Sequence, residues 1–335
     1  MDKLISVIMS VYNEVPEYLD VAIKSILNQT YKNIEFIILN DGSNNDIVKK
    51  LEYAAQNDSR IKLIHNEEQI GLTKSLNKGL AVAQGEFIAR MDSDDFSVPN
   101  RFERQIAFFD AHPDVDIIGT GVVSFGAKSI FMSPCNGMKN HEIRAELFFT
   151  SALCHPSVMI KKSFLDENNL TYDGNVKKGQ DYDMWERCSE YGKLAVMDEV
   201  LLFYRIHEKQ ITSQFKSEQV TTAEMVMKRR LSRIGIEPTN EEYLAHLTLK
   251  GVSNDADIKS VEKWAKKLIT LNKNVGLVDN ITFIKNINKR VALVRFRMRR
   301  FIISDIKYLL LQFRMKLLLK KELKKAKALF KNFNL

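Results

Sequence analysis

The first hundred residues alternate between two hydrophobic patterns. Leu4-Ile5-Ser6-Val7-Ile8-Met9-Ser10-Val11 is an almost unbroken apolar run, as expected of a strand buried on both faces. Tyr18 to Gln29 switches to helical spacing, with Leu19, Ala22, Ile23, Ile26 and Leu27 on one face. Ile34 to Leu39 predicts a second strand, Asp46 to Asn57 a helix, and Ile61 to Ile64 a short third strand. Leu72 to Ala83 predicts a helix that stops at Gly85, and Glu86 to Met91 a fourth strand. This alternation implies parallel strands joined by right-handed helical crossovers. Ligands of such sheets bind at the carboxyl ends of the strands. Three polar clusters fall there: Tyr12-Asn13-Glu14, Asn40-Asp41-Gly42, and Asp92 to Asp95.

Beyond Arg101 the pattern loosens. Phe102 to Ala111, His141 to Phe149 and Tyr182 to Tyr191 read as helices, with a turn or helix at Lys162 to Asn168. Asp116 to Phe125, His155 to Ile160 and Leu194 to Tyr204 read as strands. From about Phe215 the signals are almost wholly helical, at Thr222 to Ile234, Asn240 to Lys250, Ile258 to Leu271 and from Ile281 onward. The expected organisation is an α/β domain over 1–214 and a helical region over 215–335.

Composition changes this picture in two ways. Three widely spaced cysteines, Cys135, Cys154 and Cys188, fit a reducing compartment and exclude a disulfide framework or a structural zinc site. The charge is also uneven. Residues 285–335 hold 16 Lys or Arg against Asp305 and Glu322, a local charge of +14, whereas the whole chain carries +8, so the rest sums to −6. A mildly acidic body ends in a basic tail. No run of about 18 apolar residues offers a membrane-spanning helix, and Leu4 to Val11 is too short for a signal-peptide core.

The chemistry concentrates in Arg90-Met91-Asp92-Ser93-Asp94-Asp95. Three carboxylates in four residues repel one another unless a cation or several donors lie among them. Mg2+ and Mn2+ commonly bridge such carboxylates to a substrate's phosphates. The competing reading is a solvated acidic turn that caps the following helix.

The ordered set Ser6 to Glu14, Ser25 to Tyr31, Asn40-Asp41-Gly42-Ser43, Asp92-Ser93-Asp94-Asp95, Gln180-Asp181-Tyr182-Asp183-Met184-Trp185 and Tyr204-Arg205-Ile206-His207 resembles family 2 glycosyltransferases of the GT-A fold. The likeness spans roughly 3–214. Its flavour is that of bacterial enzymes building capsule, O-antigen or exopolysaccharide. It implies a Rossmann-like, mostly parallel sheet flanked by helices. It also implies transfer of a hexose or N-acetylhexosamine from a nucleotide-diphosphate sugar, most simply a UDP-sugar, to a saccharide acceptor carried on a polyprenyl diphosphate. Retained alternatives are a nucleotidyltransferase that forms sugar nucleotides and a non-catalytic partner that binds them.

The resemblance assigns roles residue by residue. Asp41 would accept a hydrogen bond from a base ring N–H, which uracil, thymine and guanine all offer. Tyr12 and Glu14 would contact base and ribose. Asp94 would bind Mn2+ or Mg2+ directly, with His207 as a further ligand. Asp92 would reach ribose or metal, and Asp95 the turn, the donor sugar or Arg101. Asp181 would be the base of an inverting displacement, with Asp183 as its rival. Two positions depart from the family pattern. Gln180 stands where Glu is usual, and Leu76 where many members carry Arg facing the nucleotide. Lys74 or Arg90 would then supply positive charge to the diphosphate. Trp185 reads as a sugar-stacking or core residue, and His155 as structural, with an acceptor-site role as its second reading.

Over residues 289–331, Ile302, Ile306, Leu309, Leu310, Phe313 and Leu317 share a helical face flanked by lysines and arginines. This pattern reads as an interfacial helix attracted to anionic lipid, placing the protein peripherally on the cytoplasmic face of the plasma membrane. Packing on the catalytic domain or against a second subunit in a homo-oligomer is the other reading. Nucleic acid is not expected as a partner, since no reader motif accompanies the basic helix.

Overall fold

The computed structural model describes residues 2–126, 137–207 and 216–298. These residues fall into two compact units, one within Met1–Asn140 and Ser151–Ala223, the other within His141–Thr150 and Glu224–Leu335.

The first unit opens with β1 (Ile5–Val11), α1 (Pro16–Leu27), β2 (Ile34–Asn40), α2 (Asn45–Asn57), β3 (Ile61–His65), α3 (Leu72–Val82) and β4 (Phe87–Arg90). Each strand follows from its apolar run. All seven residues of β2 are buried, as a strand covered on both faces requires. Pro16 starts α1, and the Asn44 side chain caps α2 by accepting from Asp46 and Ile47 N–H. The chain continues through β5 (Phe96–Ser97), α4 (Arg101–Ala111), β6 (Ile117–Phe125), α5 (Asn140–Glu146), β7 (Met159–Lys161), α6 (Lys162–Glu167), α7 (Gln180–Cys188) and β8 (Leu194–Arg205).

Among the described residues, eight strands form one mixed sheet in the order β3-β2-β1-β4-β7-β6-β8-β5. β1 pairs in parallel with β2 and β4, and β2 with β3. β7 runs antiparallel to β4 and β6, while β8 is parallel to β6 and antiparallel to β5. The carboxyl ends of β1, β2 and β4 therefore line one edge, and Tyr12-Asn13-Glu14, Asp41 and Asp92 to Asp95 follow them directly.

Two expectations need correction. His155-Pro156-Ser157 forms a 3-10 turn, so the strand expected from His155 begins only at Met159. Proline has no N–H to give a ladder. The segment after Asp95 does not cap a helix, because Phe96–Ser97 pairs with Leu202 and Phe203 of β8.

The second unit holds most of α8 (Lys216–Ser232), with α9 (Asn240–Lys250), α10 (Ile258–Val275) and α11 (Asn280–Arg297). Thr239 and Glu242 form a capping box at α9, Asp257 and Asp279 cap α10 and α11, and Gly251 and Gly276 close α9 and α10 in the left-handed region. Trp264, Leu268, Phe283 and Ile287 pack with Phe148 and Phe149, which reach this core from the ten-residue excursion of 141–150. His246 lies fully buried there, with Nε2 2.8 Å from the Phe148 carbonyl oxygen and Nδ1 3.2 Å from Trp264 Nε1. Burial pushes its pKa down to about 3, so it packs as a neutral ring. Among the described residues no helix is long and apolar enough to cross a membrane. Ile302 to Leu317, and the rest of 299–335, lie outside the described residues, as does Cys135.

Candidate active site

The loop after β1 carries three of the candidate residues. Asn13 adopts φ 47°, a left-handed conformation that asparagine tolerates. Its N–H donates to Ser43 Oγ (3.1 Å) and its Oδ1 accepts from Asn44 N–H (2.8 Å), tying the ends of β1 and β2 together. Tyr12, next to Asn13, is 49% exposed. Glu14 turns inward and accepts from Ser93 Oγ (2.9 Å) and Val15 N–H (2.8 Å). Burial, and then the charge of Asp94, raise its carboxyl above the ordinary range.

Asp41 is buried, and three protein donors hold its carboxylate. Oδ1 accepts from Asn66 Nδ2 and Ile70 N–H, and Oδ2 from Gly71 N–H, each at 2.9 Å. Gly71 sits at φ 86°, which a side chain would strain. Asp41 thus fixes the loop that launches α3, with lone-pair capacity remaining at Oδ2. Lys74 lies exposed on α3, whereas Leu76 is buried.

Asp92, Asp94 and Asp95 converge after β4, with one carboxylate oxygen of each within 4.8 Å of the others. Asp92 is ion-paired with Arg90. Asp94 Oδ2 lies 2.9 Å from His207 Nε2. Asp95 is fully buried; Oδ1 accepts the Arg205 N–H at 2.8 Å, while Oδ2 has no partner among the described residues. Burial, then the charges of Asp94 and Asp92, push its carboxyl well up. The Arg205 guanidinium donates to the Asp94 carbonyl (2.8 Å) and lies over the rings of Tyr18 (3.9 Å) and Phe125 (4.4 Å). The end of β8 therefore clamps the acidic turn. The expected Asp95–Arg101 pairing is not the arrangement found. The fully buried Arg101 donates to the Arg90 carbonyl (2.9 Å), the Val158 carbonyl (3.2 Å) and Gln105 Oε1 (3.1 Å). Burial lowers its pKa to about 9.

Asp181 sits in the first turn of α7, behind Gly179 in the left-handed region. It is half-buried, with Ser151 Oγ 3.3 Å from Oδ2. Burial raises its carboxyl; N–H groups of the turn and the Ser151 hydroxyl oppose the shift, and the charge of Asp92 adds to it. Asp183 is buried and paired with Arg187 Nε at 2.8 Å. Trp185 is wholly buried, so of its two readings the core one holds. His155 is buried with Nε2 2.8 Å from the Tyr172 hydroxyl, and burial, then Arg90, push its pKa well down. Sequence reading placed Asn13 and Ser93 in motifs without a role and missed Ser151; their supporting bonds join positions 30 or more residues apart.

A mixed α/β sheet with a carboxylate triad and a neighbouring histidine at its strand ends, followed by helices, is the architecture of GT-A transferases. A family model described as glycosyl transferase family 2 matches residues 6–168. The O-antigen biosynthesis glycosyltransferase WbnJ of Escherichia coli is 35% identical over 211 residues, 62% of this chain and 81% of that protein. Among solved structures, S. aureus TarS 1-349 in complex with UDP-GlcNAc aligns with a TM-score of 0.60 at 17% identity, over 88% of this chain and 92% of that one. The mannosyltransferase PcManGT from Pyrobaculum calidifontis, in complex with GDP-Man and Mn2+, aligns with a TM-score of 0.50 at 13% identity, over 93% of this chain and 80% of that one. The chain belongs to glycosyl transferase family 2. That membership sets aside the nucleotidyltransferase alternative.

Proposed function

We propose that this glycosyltransferase moves a hexosyl or N-acetylhexosaminyl group, with inversion, from a UDP-sugar to a saccharide acceptor carried on a polyprenyl diphosphate. The observation that carries the reading is the pairing of two acidic sites in one unit. The Asp92-Asp94-Asp95 triad lies at the end of β4, and a separate acid, Asp181, is close enough to feel the charge of Asp92.

Asp94 and His207 would hold a divalent cation. The unpartnered Oδ2 of Asp95 and the carboxylates of the triad fit Mn2+ or Mg2+, and the imidazole of His207 favours Mn2+ of the two. When bound, such an ion neutralises charge on a departing diphosphate. Tyr12 offers a flat exposed face to the base. Asp41 keeps one acceptor site for a ring N–H, and Glu14 and Asp92 lie toward ribose and sugar. Lys74 gives the diphosphate a neighbouring positive charge. Asp181 takes the proton of the acceptor hydroxyl as its oxygen bonds to the anomeric carbon. The bond from that carbon to the diphosphate oxygen breaks on the opposite face, so an α-linked donor gives a β-linked product. Burial raises the Asp181 carboxyl, making it a stronger base than a free aspartate. Asp183 is already committed to Arg187, which favours Asp181 over its rival.

UDP-GlcNAc bound in TarS supports a UDP-sugar donor, and the O-antigen biosynthesis of WbnJ supports a part in building polysaccharide. The test is release of nucleoside diphosphate from UDP-, dTDP- and GDP-sugars, with Mn2+, Mg2+ or EDTA, with and without lipid-linked saccharides. Metal-dependent release from one donor, raised by acceptor, is the expected result. Release that survives EDTA would remove the metal, and silence with every donor despite nucleotide binding would favour a non-catalytic binding partner.

A further inference from the structure

Arg90 is the anomaly of the acidic site. It ends β4 on the face covered by α3, 4% exposed, with Ile8, Leu76, Leu80, Ile88, Ile160 and Tyr172 around a small void beside it. Apart from Arg90 and Tyr172, that wall is apolar. Packing alone calls for an aliphatic residue there. Burying a guanidinium costs several kcal/mol unless its charge and donors are met, as an order of magnitude. Its charge is met by Asp92, yet Nε and Nη1 have no partner among the described residues. The main chain on either side is fixed: Arg90 N–H donates to the Val158 carbonyl (3.1 Å), and its carbonyl accepts from buried Arg101. Tyr172 is held as firmly, by Asn77 Nδ2 to its carbonyl (2.7 Å), its N–H to Asn77 Oδ1 (3.0 Å), and its hydroxyl at His155. Among the described residues the guanidinium thus stands in a rigid frame with one partner, and that partner belongs to the triad.

We propose that Arg90 is a positioning residue: it holds the Asp92 carboxylate in one place beside Asp94 and Asp95, so that the triad is assembled before a donor arrives. It therefore does not serve as the free cation for the diphosphate that the sequence suggested. Without Arg90, repulsion from the two neighbouring carboxylates drives Asp92 outward toward water, since its side chain is 28% exposed.

The proposal rests on the nucleotide-sugar reading for its functional readout, and the test separates the two. UDP affinity in the presence of Mn2+ and Tm are measured for wild type, Arg90→Leu, Arg90→Lys, Asp92→Asn and the double variant Arg90→Leu/Asp92→Asn. Arg90→Leu leaves the Asp92 carboxylate without its partner and is expected to lower Tm, whereas the double variant, which removes both charges, should recover it. Arg90→Leu should also weaken UDP binding about tenfold or more, with Arg90→Lys recovering part of the loss. The double variant should bind no more weakly than Asp92→Asn alone, because Arg90 acts through Asp92. Wild-type affinity in Arg90→Leu, or losses that add in the double variant, would overturn the assignment. If Arg90→Leu does not fold, the same cycle is run with Arg90→Lys. If wild type binds none of UDP, dTDP and GDP, the nucleotide-sugar reading fails instead. Crystal structures then decide Arg90 separately: Asp92 should move in the Arg90 variant, and an unmoved Asp92 would overturn the role.

Discussion

Among single residues, Asp181 gives the sharpest expectation. Its carboxyl titrates above the ordinary aspartate range, mainly because it is buried. A base must be ionised, so kcat/KM should climb as pH rises through that elevated pKa and then level off. Asp181→Asn should keep UDP affinity, lose about 10²–10⁴-fold in kcat, and remove that acid limb. A variant with a wild-type rate would give the proton to another group. Asn13 is a second case, because its left-handed backbone and two bonds to 43–44 fix the main chain next to the exposed Tyr12. Asn13→Ala should raise the KM for donor several-fold with little change in kcat; an unchanged KM would separate Tyr12 from base binding. The acidic residues of the site were legible because carboxylates without an apolar reason for their place stand out in a sequence. Asn13, Ser93, Ser151 and the burial of Arg90 were not. Their meaning comes from partners such as Ser43, Glu14, Asp181 and the α3 face, which only the folded chain supplies.

Among elements, legibility followed length and periodicity. β1, α1, β2, α2, β3, α3 and β4 sit within a few residues of where their patterns put them. β5 has two residues and no period to read, and its existence depends on β8 arriving beside it. Pro156 turned an apparent strand into a 3-10 turn. Gly85 was legible as the stop after α3, but its stronger constraint was not. A Cβ there would lie 2.6 Å from the Ser6 backbone nitrogen and 2.8 Å from the Leu4 carbonyl oxygen. Backbone cannot give way as a flexible side chain does, so Gly85→Ala should destabilise by about 1–3 kcal/mol. Gly79→Ala meets Ile8 Cγ2 at 2.7 Å, a side-chain contact that relaxes more readily. Denaturant titration of the two variants should rank Gly85→Ala as the more damaging. The reverse order would mean that β1 and the 83–86 turn shift more easily than α3 does against β1.

For the whole molecule, the basic end divides between charge that serves the fold and charge beyond it. Of the 16 Lys and Arg in 285–335, five precede residue 299. Three of these five serve the second unit's own fold: Arg290 pairs with Glu146, Arg295 with Glu262, and Arg297 donates to the Thr248 carbonyl. Val291, Ala292 and Val294 of the same helix are buried, so a cut at Lys289 would remove part of the core. A cut after Met298 spares that helix and removes 11 basic and two acidic residues, a loss of +9 that leaves the chain near −1. On the membrane-surface reading, each Lys or Arg near an anionic bilayer contributes about 1 kcal/mol, an attraction that salt screens. The full chain should therefore co-sediment with phosphatidylcholine vesicles containing phosphatidylserine at low salt, and release as salt rises. The chain cut after Met298 should stay in solution with an unchanged Tm. Equal sedimentation of both would move the contact to the folded units. Release by salt without any dependence on phosphatidylserine would exclude anionic headgroups as the attracting charge. A full chain that never sediments but runs larger than its truncated form on a sizing column would assign the basic end to packing between subunits instead.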